Sequence, residues 1–186
     1  MIFNRIIPSL LLSKKRLVKG INFKNHRDAG SPPSTVRSFN HQGADEIMLL
    51  DIDCSISKKE PDYQSFKQVA KESFIPLTFG GGISNLKIAE KYFECGADKI
   101  CLGTSALDNP NLITKLSQIY GRQAVVINID LIKMENSYKL YNFAKKIDID
   151  LDIFDFELTA GNLKLLKVSE RHQTIIYLHL ISVFLF

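Results

Sequence analysis

The chain has 186 residues, 45% of them hydrophobic and 24% charged, enough for one well-cored domain and too few for two ordinary ones. That balance excludes a disordered or fibrous protein. The formal net charge of +4 comes from lysines dispersed among acidic residues, so it does not argue for nucleic acid; solvated lysines or an anionic small-molecule partner both accommodate it.

Arg5 precedes an apolar run over 6–12. Pro8 interrupts that run and Lys14-Lys15-Arg16 follows it in place of a small-residue cleavage site, so it reads as a buried first strand rather than a secretion signal. Further strands are expected over 47–52, 76–79, 99–102 and 124–129, all short and rich in Ile, Val and Leu, as strands covered on both faces should be. Helices are expected over 34–42, 65–71, 86–95 and 110–120. Ser84-Asn85 and Asp108-Asn109-Pro110 supply start signals for the last two. This alternation predicts a parallel sheet with helices outside it.

Gly43-Ala44-Asp45-Glu46-Ile47 recurs as Gly96-Ala97-Asp98-Lys99-Ile100, 53 residues on. Each copy ends a helix and starts a strand, so the period spans two βα units, the mark of a barrel built from duplicated pairs. No GxGxxG follows the first strand, which disfavours an open dinucleotide-binding sheet. After Lys133 the texture changes. The alternation over 147–153 predicts one more strand, 158–169 a helix weakened by Gly161, and the β-prone end a truncated or frame-altered terminus. The apolar stretch over 174–186 has 13 residues, against the roughly 20 that a membrane-spanning helix needs; no membrane span is expected. Cys54, Cys95 and Cys101 form no CxxC pair and no ligand spacing, so neither disulfides nor a metal site are expected, and a cytoplasmic location is.

Asp51 and Asp53 follow the second strand and Asp130 the fifth. Strand C-terminal ends face the mouth of a parallel barrel, where carboxylates read as catalytic or binding groups; capping a following helix is the structural alternative. Gly80-Gly81-Gly82 lies between a strand and a helix, where successive glycines let backbone N–H groups enclose an oxyanion. Gly103 and Thr104 add small donors after the fourth strand, and together these predict one phosphate-binding corner. Lys19, after the first strand, is a further anion-binding candidate. His26, His41, His172 and His179 show no catalytic arrangement.

Several segments carry a resemblance: Arg5-Ile6-Ile7-Pro8, Leu17-Val18-Lys19-Gly20, Arg27-Asp28-Ala29-Gly30, Gly43-Ala44-Asp45-Glu46, Leu50-Asp51-Ile52, Thr78 with Gly80-Gly81-Gly82-Ile83, and Gly96-Ala97-Asp98-Lys99. In order and spacing over 1–132 they resemble the cyclase subunit of imidazole glycerol phosphate synthase. The resemblance implies a (β/α)8 TIM-type barrel, here incomplete with five to six βα units: a barrel part over 1–132 and a divergent tail over 133–186. A complete barrel runs to about 250 residues.

The resemblance also implies a lyase of histidine biosynthesis. Ammonia from a glutamine amidotransferase partner reacts with a doubly phosphorylated ribulosyl aminoimidazole-carboxamide nucleotide, giving imidazole glycerol phosphate and the aminoimidazole-carboxamide ribotide. No cofactor is implied. Asp130 falls on one of the family's two acid/base aspartates, whereas the other falls on Leu11, which cannot transfer a proton. Lys19, Asp51, Gly81, Gly82, Gly103 and Thr104 fall on substrate or phosphate positions. Arg5, Glu46 and Lys99 fall on a charged gate for ammonia, and Asp98 on a partner contact; a salt-bridge cluster closing the barrel is the structural alternative. The Leu10-Leu11-Leu12 region is similar to a branch of the family that channels ammonia toward surface-sugar amidation. That branch is the second reading, and an inactive remnant the third.

Overall fold

The computed structural model describes residues 5–21, 24–57, 59–133, 138–142, 147–149 and 176–180. They fall in two compact units, Met1–Cys101 and Leu102–Phe186. The helix expected over 158–169 lies outside the described residues.

The first unit runs β1 (Ser9–Ser13), β2 (Arg16–Ile21), β3 (Lys24–Gly30), α1 (Pro32–His41), β4 (Ile47–Asp51), α2 (Asp53–Ser57), α3 (Tyr63–Glu72), β5 (Leu77–Gly80), α4 (Leu86–Glu94) and β6 (Lys99–Leu102). Strands β1, β4, β5 and β6 are parallel neighbours, and helices α1, α3 and α4 connect or follow them. This is a partial (β/α) barrel. Its register sets residues in rows across four strands. Ser9, Met48, Thr78 and Lys99 form one row, then Leu10, Leu49, Phe79 and Ile100, then Leu11, Leu50, Gly80 and Cys101.

The structure differs from the sequence expectation at both ends of β1. Lys14 and Lys15 both have positive φ, 49° and 66°, the backbone of a tight turn whose twist suits an antiparallel hairpin. The chain therefore reverses after β1, and β2 and β3 pair antiparallel beside it, making the sheet mixed rather than wholly parallel. The first strand begins at Ser9, not at residue 6.

Helices α3 and α4 cover the strands through one aromatic cluster. Phe66 lies 4.7 Å from Phe79 and 4.8 Å from Tyr92, centroid to centroid, with the Phe66–Tyr92 pair edge-on. All three are fully buried, and each such ring contributes about 2–3 kcal/mol through burial. Asp62 and Asn85 cap the two helices, accepting from the backbone N–H of Ser65 and Ile88; the cap at Asn85 is the one its sequence signal announces.

The second unit carries α5 (Thr104–Asp108), α6 (Pro110–Tyr120), β7 (Val125–Lys133), β8 (Tyr138–Asn142), β9 (Ile147–Ile149) and β10 (Ile176–Leu180). Helix α6 has Pro110 in its first turn, as expected. Asp108, read as part of that start signal, instead closes the short α5. Strand β7 pairs antiparallel with β8 and β10, and β8 with β9. Among the described residues no helix is long and apolar enough to cross a membrane.

Candidate functional site

The glycine turn stands at the C-terminal end of β5. Gly81 and Gly82 have φ of 116° and 64°, conformations that side chains rarely adopt. Space excludes side chains as firmly. A Cβ on Gly81 would sit 2.2 Å from the Asp51 carbonyl oxygen, and one on Gly82 2.7 Å from the Cys54 Cβ. Among the described residues the Gly82 N–H donates to no protein acceptor, which leaves it open to an anion.

Asp51 supports this turn from β4. Its carboxylate is buried, 6% exposed, and accepts from the N–H of Asp53 at 3.0 Å and of Asp62 at 3.1 Å. Burial, and then the hydrogen bond to Asp51, push the Cys54 thiol far above its ordinary range, so it stays protonated. Asp53 faces the other way: it accepts from the Ser13 hydroxyl and from the Lys14 N–H, each at 3.0 Å. The α2 segment is thereby tied to the β1–β2 turn.

Lys19 is exposed in β2, within the hairpin, where it lies opposite Arg27 of β3. Two cations so placed repel unless an anion lies near. In the second unit Gly103 and Thr104 open α5. Asp130 lies within β7, its backbone in register with Tyr141 of β8 and Tyr177 of β10.

A second cluster occupies the opposite, N-terminal ends of the first unit's strands. Glu46, 2% exposed, accepts from Arg5 Nη2 at 2.7 Å and Lys99 Nζ at 2.6 Å, and from the Thr78 hydroxyl. Nearby, Asp98 donates its N–H to the Leu77 carbonyl at 2.9 Å and accepts from the Leu77 N–H at 2.8 Å. Asp45 does the same to Ile6, at 3.0 and 2.6 Å. The repeated Gly-Ala-Asp motif is thus a repeated clasp, each aspartate fastening one strand's start to the strand beside it.

The structure brings Arg5, Glu46 and Lys99 into one ion cluster, and sets Asp51 against Gly81. Asp53, read from sequence as a strand-end carboxylate, ties α2 to the β1–β2 turn instead, and one contributor, Tyr92, escaped the sequence reading. Tyr92 is fully buried and its hydroxyl donates toward the carbonyls of Gly80 at 3.2 Å and Gly81 at 2.8 Å. The available signal was a polar-tipped ring three residues after Ala89 on the buried face of α4. Among the described residues no group of His, Cys, Asp or Glu is placed to hold a metal.

Parallel strands with covering helices, and a glycine turn where β5 hands over to α4, define a (β/α)-barrel protein. The chain belongs to the histidine biosynthesis protein family, whose model matches residues 5–166. It is 39% identical over 174 residues to imidazole glycerol phosphate synthase subunit HisF of Chlorobium chlorochromatii, covering 91% of this chain and 69% of that protein. The same-named subunit of Pelodictyon phaeoclathratiforme is 42% identical over the same coverage. Similarity therefore reaches past Ile132, where the recognisable motifs end.

Proposed function

We propose that this chain is a cyclase-type subunit of imidazole glycerol phosphate synthase. It takes ammonia from a glutamine amidotransferase partner and joins it to the doubly phosphorylated imidazole precursor named above. One observation carries the reading: strands β4 and β5 run from the Glu46 cluster at one end to the Gly81–Gly82 turn at the other. At about 3.3 Å per residue, their four to five residues set the two sites some 15 Å apart. A charged lock suits the end where ammonia enters, with Asp98 beside it toward the partner. Open amide donors suit a phosphate at the other end, and Lys19 is proposed as a further anion contact.

Asp130 is the proposed proton-transfer group, and Gly103 and Thr104 are proposed as further substrate contacts. Leu11 lowers the proposed activity, since loss of one positioned acid or base costs about 10²–10⁴-fold. The row of Leu11, Leu50, Gly80 and Cys101 offers no carboxylate, and this favours the second reading, a barrel that passes ammonia on to a sugar-modifying enzyme. Calorimetric titration of the phosphorylated imidazole nucleotide tests the first. Saturable binding that Gly82→Asp abolishes is expected; heat no different from buffer would overturn it.

A further inference from the structure

We infer that Tyr92 is a positioning residue for the anion-binding turn, a role that rests on the phosphate reading of Gly81–Gly82 and extends it. A trans peptide is planar, so the carbonyl of one residue and the N–H of the next point in opposite directions. The Tyr92 hydroxyl draws the Gly81 carbonyl toward the core at 2.8 Å, which turns the Gly82 N–H outward. It lies 3.2 Å from the Gly80 carbonyl, biasing the Gly81 N–H likewise. Glycines at φ of 116° and 64° have no side chain to fix these peptide planes, and glycine backbone is freer to rotate than any other.

The anchor itself is rigid. Phe66 and Phe79 pack against the Tyr92 ring, and Tyr63 meets it edge-on at 5.7 Å. Burial raises the phenol far above its ordinary pKa, so the proton that makes the hydrogen bond is retained well above neutral pH. An ordinary core tyrosine satisfies its hydroxyl with whatever acceptor is near. Here the acceptors are two consecutive carbonyls of the glycine turn, and holding both defines the direction of two successive amides.

Tyr92→Phe keeps the ring and deletes the hydroxyl, and Phe66→Leu loosens the same cluster without touching the turn. Inorganic phosphate is titrated into the full chain and both variants, with amide hydrogen exchange over residues 80–83 measured in parallel. The expected result is phosphate binding about five- to tenfold weaker in Tyr92→Phe, with faster exchange at Gly81 and Gly82, and unchanged affinity in Phe66→Leu. Equal exchange at these amides in Tyr92→Phe and the parent chain would overturn the positioning role. So would equal weakening of phosphate binding by both variants. Absence of phosphate binding by the parent chain, with exchange still accelerated in Tyr92→Phe, would overturn the phosphate reading while keeping Tyr92 as the device that orients the turn.

Discussion

Glu46 joins Arg5, Thr78 and Lys99 through a single buried carboxylate. Removing it strands Lys99, whose side chain is 19% exposed, beside a hydroxyl without its acceptor. Glu46→Ala should therefore destabilise the fold by about 3 kcal/mol, read from denaturant unfolding; a loss below about 1 kcal/mol would show the cluster to be solvent-screened. The buried hydroxyl and thiol groups predict a pH dependence. Cys54 is raised from its ordinary 9.0, Tyr63 is pushed up to about 12 and Tyr92 is raised further, burial being the first cause in each. In the unfolded chain these groups ionise from about pH 9 upward, whereas in the fold they stay protonated. Their contribution to stability is complete below pH 9 and is lost as the pH rises beyond it. Urea midpoints should fall steadily between pH 9 and 11, and Cys54 should resist alkylation at pH 8 until the chain unfolds.

At the scale of elements, the parallel strands and their helices were legible because each is a short apolar run or a periodic stretch, with a capping residue at the head of α4 and a proline in the first turn of α6. The β2–β3 hairpin was not. The turn that leads into it from β1 is Lys14-Lys15 rather than the Asn-Gly that announces such a reversal, and β3 reads Lys-Asn-His-Arg-Asp-Ala-Gly, with no apolar alternation to mark a strand. Asp53 compensates by accepting from both Ser13 and Lys14. Replacing Lys14-Lys15 by Asn-Gly should stabilise the chain by about 0.5–1 kcal/mol, while Asp53→Ala should speed amide exchange in β1 and β2 without affecting β5. The repeated Gly-Ala-Asp motif was visible as a duplication, yet its role was not, because a clasp to a neighbouring strand's N–H is invisible until the strands are paired. At the site the same limit holds: the glycine turn announces itself, whereas Tyr92 is one aromatic among the core positions of α4.

For the whole molecule, the match to the family model and the partial barrel place the chain in the histidine biosynthesis protein family, and the two opposed clusters of the first unit support the proposed ammonia-using role. The position of Leu11 sets that activity against its absence. In the row it shares with Leu50, Gly80 and Cys101, no neighbour supplies a carboxylate in its place, so slow turnover is expected to trace to this one side chain. The decisive measurement is ammonia-dependent turnover of the phosphorylated imidazole precursor by the full chain and by Leu11→Asp. Slow formation of imidazole glycerol phosphate by the parent chain is expected, with a gain of about 10²-fold or more in Leu11→Asp. Folded protein that binds the precursor but turns it over in neither form would contradict the cyclase assignment and leave the ammonia-channelling reading in its place.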